Sequence, residues 1–177
     1  TEQGLDDKVT LLLDDYRDLK GSYSKIVSVE MIEAVGHEYM AEYFRVLNRL
    51  LSSGGKLVLQ AITIEDQRYE SYRRGIDFIR QYIFPGGHLP SLGEILRHLK
   101  EQTTMRFNHF SDYGDDYANT LKIWNERFLD SRQKIQGLGF SEDFIRLWEY
   151  YFNYCEGAFR EKRIGLAHIE AVKSEYL

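Results

Sequence analysis

Along this chain the spacing of apolar residues switches between the alternating period of a strand and the longer period of a helix. In "KVTLLLDDYRDL" a short apolar run, residues 8 to 13, ends at Asp14 and Asp15 and predicts a strand. "SKIVSVEMI" is an almost unbroken apolar run, the pattern of a parallel strand buried on both faces. "GHEYMAEYFRVLNRLLSSGG" sets Met40, Tyr43, Phe44, Leu47 and Leu51 at helical spacing, with Gly54 and Gly55 as its stop. "KLVLQAITI" follows as a further strand, which completes a strand–helix–strand unit with short links.

The rhythm then changes. "RYESYRRGIDFIRQYIF" reads as helical and mixes bases with aromatics, and "PGGHLPS" is a rigid turn holding both prolines of the chain. "SLGEILRHLKEQ" predicts a helix with Ser91 as N-cap and Glu94 three residues on, a capping-box pattern. "TTMRFNHFSDYG" reads as a strand. "DYANTLKIWNERFLDSRQKIQGLG" is a long helix expected to turn Leu121, Trp124, Phe128 and Leu129 inward, and "SEDFIRLWEYYFNYCEGAFREKRIG" is a second one, opened by Ser141. "LAHIEAVKS" alternates as a final strand. No repeat, low-complexity tract or linker interrupts the series, so the expectation is one α/β sheet with a helical insert over one edge. Its parts are 1–64 (strands and helix of the sheet), 65–103 (helical insert) and 104–177 (strand, two long helices, final strand).

Composition narrows the options. A length of 177 residues suits one ordinary domain, and the net charge of −5 argues against a broad nucleic-acid face. No apolar run approaches the ~20 residues that span a bilayer. The single cysteine, Cys155, excludes an internal disulfide framework and points to a reducing compartment; it reads as a small buried hydrophobe, not a nucleophile. Thirteen tyrosines and ten phenylalanines suit an aromatic core, some of which can also line a pocket for an apolar or cationic ligand. His98, His109 and His168 lack metal-like spacing, so no metal site is expected. His88 reads as a backbone cap, and His37, close to Glu33 in sequence, as a lesser site candidate. Arg68, Arg73, Arg74 and Arg80 form either a solvated helix face or a surface for anionic phospholipid headgroups.

Ligands of doubly wound sheets sit at the carboxyl ends of strands, where this reading gathers Asp14, Asp15, Glu30, Glu33, Gln60 and Thr63. Glu33 stands out, because a carboxylate inside an apolar stretch is costly without a partner or a task.

Four stretches in this order, "IVSVEMIEAVG", "YIFPGGHLPS", "DYANTLKIWNERF" and "WEYYFNYCEGAF", resemble the cyclopropane-fatty-acyl-phospholipid synthase family, which includes the mycolic acid cyclopropane synthases. The Pro-Gly-Gly-x-Leu-Pro-Ser turn and the Tyr-x-x-Thr-Leu-x-x-Trp-x-x-x-Phe helix are its most specific signals. The resemblance implies the C-terminal part of a class I, Rossmann-like, seven-stranded methyltransferase sheet with a helical lipid-binding insert. It implies methyl transfer from S-adenosylmethionine to a cis double bond of an acyl chain on a membrane phospholipid. A carbocation forms, and a bound bicarbonate is thought to take the proton whose loss closes the ring. Glu33 matches the residue that holds the bicarbonate, Tyr117 the tyrosine that contacts it, and Ile62 a residue that offers its backbone there. Tyr16 and Arg17 match positions flanking the adenine, and Val29, Glu30 and Met31 the strand end that lines the cofactor. The implied setting is cytoplasmic, peripheral at the inner membrane surface.

Two departures bear on the chemistry. Gln60 stands where the family usually has a histidine; an amide can donate a hydrogen bond but cannot titrate. Ala34 follows the key glutamate where histidine is common. Either change can turn the product from a cyclopropane to a methyl branch or an exocyclic methylene. No GxGxG turn occurs in the chain, which accordingly resembles the C-terminal portion of such an enzyme. Three readings follow: a lipid methyltransferase represented by that portion, a partner-dependent fragment without independent activity, and a methyltransferase for another small molecule. The fragment reading predicts an unpaired "VTLLL" run, an open apolar edge on the "IVSVEMI" strand, self-association or strand swapping, and no tight binding of S-adenosylmethionine by the isolated chain.

Overall fold

The computed structural model describes residues 4, 5 and 7–175. Its order is β1 (Tyr23–Val29), α1 (Met40–Leu50), β2 (Leu51–Ile64), α2 (Asp66–Arg74), α3 (Leu92–Gln102), β3 (Met105–Asp112), α4 (Gly114–Asp130), α5 (Arg132–Gly137), α6 (Glu142–Arg160) and β4 (Ile164–Lys173). One four-stranded sheet runs β1-β2-β4-β3. β1 is parallel to β2, whereas β4 is antiparallel to both β2 and β3. The mixed α/β sheet and most of the expected elements are therefore present.

Two apolar clusters hold it together. The first lies between α1, α3 and one sheet face: Tyr43, Phe44 and Leu47 pack with Leu57, Leu59, Ile95, Ile169 and Ala171. The second joins Ala118 and Leu121 of α4 to Phe152 and Phe159 of α6 and Leu166 of β4, with Ile62 at its border. Strand alternation produces this division, since Ala61 and Ala167 face the first cluster while Ile62 and Leu166 face the second.

Caps fix the ends. Ser91 accepts from the Glu94 N–H and Ser141 from the Phe144 N–H, as the sequence pattern requires. The Lys173 ammonium donates to the carbonyls of Asn48 and Leu51 where α1 ends, a favourable place for a cation.

The structure corrects four expectations. Residues 8–13 form no strand; the Lys8 and Val9 N–H groups turn back onto the Leu5 carbonyl, and Leu11 is 89% exposed. No strand among the described residues pairs with that run. β1 is buried on one face only: Ser28 is covered and receives the Tyr43 hydroxyl, but Val27 and Val29 are 67% and 58% exposed. It is an edge strand, and no described helix covers its second face. α1 stops before the glycine pair, which lies inside β2, where the register jumps from Tyr23–Leu51 to Lys25–Lys56. Gly54 takes a φ of 68° in that bulge, and a Cβ there would lie 2.7 Å from a Glu175 carboxylate oxygen. The long fourth helix breaks at Ser131, and Trp124 is 44% exposed instead of inward, because α6 covers only the Leu121 side.

Candidate active site

A short 3-10 turn after β1, Ile32–Ala34, sets up the site. It buries Ile32 completely in the first cluster, which turns the next residue, Glu33, toward the end of β2. Glu33 Oε1 accepts the Ile62 N–H at 2.7 Å, and the Glu33 carbonyl accepts the His88 N–H at 2.8 Å. Oε2 is buried and has no hydrogen-bond partner among the described residues. Burial pushes the carboxyl up to about 6, against the pull of the Ile62 and its own N–H groups, and nearby Glu30 adds to the rise.

Tyr117 enters from the first turns of α4. That helix starts where it does because Asp112 Oδ1 accepts both the Gly114 and the Leu166 N–H groups. The Tyr117 ring packs edge-on to Phe159, centroids 5.0 Å apart. Its hydroxyl is pushed up to about 12, by burial first and then by Glu30, Cys155 and Glu33, so it keeps its proton at neutral pH. The three candidates Glu33, Ile62 and Tyr117 thus line one cleft of about 1290 Å³, closed on its far side by Tyr151, Tyr154 and Cys155 of α6. Cys155 is half-buried and unbridged, and burial drives its thiol up to about 12, so it stays a protonated, inert lining group.

The Pro-Gly-Gly-x-Leu-Pro-Ser turn forms the cleft's other wall. His88 is buried, and its Nε2 lies 3.0 Å from the Tyr69 hydroxyl, which also meets His37 Nδ1 at 2.7 Å. Burial drives the His88 imidazole down to about 4, helped by His37, Arg80 and Arg73. His88 is therefore a neutral strut that ties the turn to Glu33 through its backbone and to α2 through Tyr69. This is more than a backbone cap, and His37 meets the site through Tyr69 and edge-on to the His88 ring, centroids 5.9 Å apart.

Gln60, at the position where the family usually has a histidine, turns to Glu30 and His168 and makes no hydrogen bond to Glu33. Its amide donates to Glu30 Oε1 at 2.7 Å, and its carbonyl oxygen meets His168 Nε2 at 2.7 Å. His168 was visible in the sequence only as a failed metal ligand; its signal is its pairing with Gln60 in the β2–β4 register. Of the cofactor-side candidates, Val29 is exposed at the strand tip and Met31 packs on the first cluster, whereas the Glu30 side chain lines the cleft. Tyr16 stands edge-on to Tyr43 at 5.8 Å, and Arg17 is exposed and paired with Asp15 at 2.6 Å, so both lie beside α1 and outside the cleft lining. The Arg17 guanidinium holds Asp15 down to about 2. Among the described residues no cluster of His, Cys, Asp and Glu is arranged to hold a metal.

Known proteins share both sequence and fold with this chain. The family model for mycolic acid cyclopropane synthetase matches residues 1–169. The tuberculostearic acid methyltransferase UfaA1 of Mycobacterium tuberculosis is 42% identical over 157 residues, which are 89% of this chain and 37% of that protein. The cyclopropane-fatty-acyl-phospholipid synthase of Escherichia coli is 41% identical over 165 residues, 93% of this chain and 41% of that one. The chain thus spans about two fifths of the length of these relatives. Among solved structures, the mycolic acid cyclopropane synthase CmaA1, complexed with SAH and CTAB, superposes with a TM-score of 0.82 at 25% identity, over 92% of this chain and 59% of that one. The cyclopropane synthase MmaA2 of Mycobacterium tuberculosis gives a TM-score of 0.82 at 22% identity, over 97% of this chain and 65% of that one, a likeness of fold. With its family model matched over residues 1–169, the chain belongs to the mycolic acid cyclopropane synthetase family.

Proposed function

We propose that the protein carrying this chain transfers a methylene group from S-adenosylmethionine to the cis double bond of an unsaturated acyl chain on a phospholipid, forming a cyclopropane fatty acid. The observation that carries this reading is Glu33: a buried carboxyl with one oxygen held by a backbone N–H and the other unpartnered, at an aromatic cleft large enough for an acyl segment.

The residues fit both groups that the reaction needs. The methyl donor would lie at the carboxyl end of β1, where Val29 is uncovered and Glu30 and Met31 complete the tip, with Tyr16 and Arg17 at its outer side. S-adenosylmethionine supplies an electrophilic methyl on a sulfonium. The Tyr117 hydroxyl is a donor that suits an anion such as bicarbonate, and Glu33 Oε2 becomes a second whenever the carboxyl, raised to about 6, takes up a proton. Bicarbonate supplies the base there. The Ile62 N–H is committed to Glu33, so Ile62 acts by fixing the carboxyl's direction.

The rest of the cleft serves an alkene, which is a weak nucleophile and needs alignment in an apolar, water-poor site. The rings of Tyr117, Tyr151, Tyr154 and Phe159 offer π faces that tolerate a cation at ~0.5–2 kcal/mol each without bonding to it. Among the cleft's lining residues Ile76 and Phe84 are exposed, and Arg68 and Arg80 bring positive charge. That mixture supports the reading of a protein that meets an anionic phospholipid surface from the inner side of a membrane. No helix among the described residues is long and apolar enough to cross it.

A methyl-branched product is the second reading. Gln60 favours it, since an amide cannot relay a proton, and so does the 42% identity to a tuberculostearic acid methyltransferase. Mass spectra of lipids from cells with and without the gene separate the cases. A cyclopropane gains one CH2 per acyl chain, a saturated methyl branch carries two further hydrogens, and no gain on any unsaturated chain removes the lipid reading.

A further inference from the structure

Glu30 has three properties that a strand-tip residue does not need. It adopts a φ of 49°, a left-handed conformation that is strained for a non-glycine residue. It is held there twice by one neighbour: its N–H donates to the Gln60 carbonyl at 2.9 Å, and its Oε1 accepts from the Gln60 side chain at 2.7 Å. Its other carboxylate oxygen makes no hydrogen bond with a described residue, on a side chain that lines the cleft.

The chain of bonds has one chemically consistent direction. Glu30 presents an acceptor, so the Gln60 NH2 must face it, and the Gln60 oxygen must face His168. His168 must then carry its proton on Nε2. A fixed tautomer on β4 thus sets the amide on β2, and the amide sets the carboxylate at the tip of β1. The His168 ring is itself held against Tyr113, centroids 4.6 Å apart. Glu30 also raises the Tyr117 and Glu33 groups, which places its charge at the reacting end of the cleft and away from the outer edge of the sheet.

We propose that Glu30 is a cation-facing carboxylate of this site, aimed by Gln60 and by His168 as a positioning residue, and that it stabilises the positive charge developing on the acyl carbon. This rests on the acyl-lipid reading above. The role is electrostatic and needs no bond to carbon: a fixed anion in a water-poor cleft favours a cation far more than in bulk water.

The test uses the protein that carries this chain, as wild type and as Glu30→Gln, His168→Phe and His168→Gln. Glu30→Gln keeps shape and removes charge; His168→Phe keeps the ring on Tyr113 and removes the donor; His168→Gln returns a donor. Calorimetry compares a long-chain alkyltrimethylammonium, which carries a fixed positive charge, with a neutral alkyl maltoside of equal chain length. Turnover on unsaturated phospholipid is measured in parallel. Wild type is expected to prefer the cation by about tenfold or more. Glu30→Gln should bring the two affinities together, His168→Phe should lose most of the preference, and His168→Gln should recover it. An unchanged preference in Glu30→Gln, or none in wild type, with phospholipid still converted, overturns the proposal and leaves the lipid reading standing. If neither amphiphile binds and phospholipid is not converted, the lipid reading fails and the proposal falls with it. A preference that His168→Phe leaves intact removes His168 from the role.

Discussion

Phe44, Leu57, Leu59 and Ile169 of the first cluster have almost no surface left, whereas Tyr117, Trp148, Tyr151 and Cys155 around the second keep part of theirs. The first is largely aliphatic, with two aromatic rings, and is sealed by α1 and α3 against β2 and β4. The second is rich in aromatics and leaves a cleft between α6, the start of α4 and the proline turn. A face whose packing is finished has no room for a ligand. A face whose rings are left half-covered has apolar area to offer one, and Glu33 lies where the two meet, anchored by Ile32 in the first cluster and exposed in function to the second. Folding and chemistry are thereby separated within one small sheet.

The sharpest way to break this contrast is truncation on each side. Phe44→Ala should cost about 3–5 kcal/mol in denaturant unfolding, the range for a fully buried phenylalanine. Tyr151→Ala should cost less than half of that, because its ring is already partly solvated, while weakening lipid binding more than the core variant does. Equal stability losses would erase the distinction.

The next effect is set by pH. Glu33 titrates higher in the folded chain, at about 6 against 4.5, because burial penalises its charged form. Its contribution to stability is therefore fully present below 4.5 and is lost as pH rises through 6, a change of about 2 kcal/mol. Unfolding of wild type and Glu33→Gln at pH 4 and pH 8 should show the variant gaining relative stability at the higher pH. A constant difference across that range would mean that the carboxyl is not buried.

A smaller effect is expected from Tyr117→Phe. The hydroxyl makes no hydrogen bond with a described residue, so the fold should lose little, but turnover should fall about tenfold if it donates to a bound anion. The mildest change is Val27→Lys on the open edge of β1. It should leave unfolding within about 0.5 kcal/mol of wild type and reduce any self-association seen in sedimentation. Unaltered association would move the contact elsewhere.

Much of the fold was legible because its signals are local. The Ser91 and Ser141 caps, the Met40–Leu47 face and the β2 and β4 runs each depend on neighbours a few residues away. The unpaired run at 8–13 and the open edge of β1 were legible from the family resemblance, but the strand at 8–13 and burial of β1 on both faces were misread, because burial depends on what covers a strand and apolar spacing does not report that. Glu33 was legible by its misfit in an apolar stretch. The orientation of Gln60 was not, since it is fixed by His168, 108 residues away in sequence and one strand away in space.

Glu33→Gln, expressed in cells rich in unsaturated phospholipid and read by lipid mass spectrometry, addresses the central claim most directly. Wild type should add one CH2 to acyl double bonds. The variant should show at least about a hundredfold less product while unfolding at or above the wild-type temperature at pH 8. A stable Glu33→Gln protein that converts lipid at the wild-type rate would contradict the account.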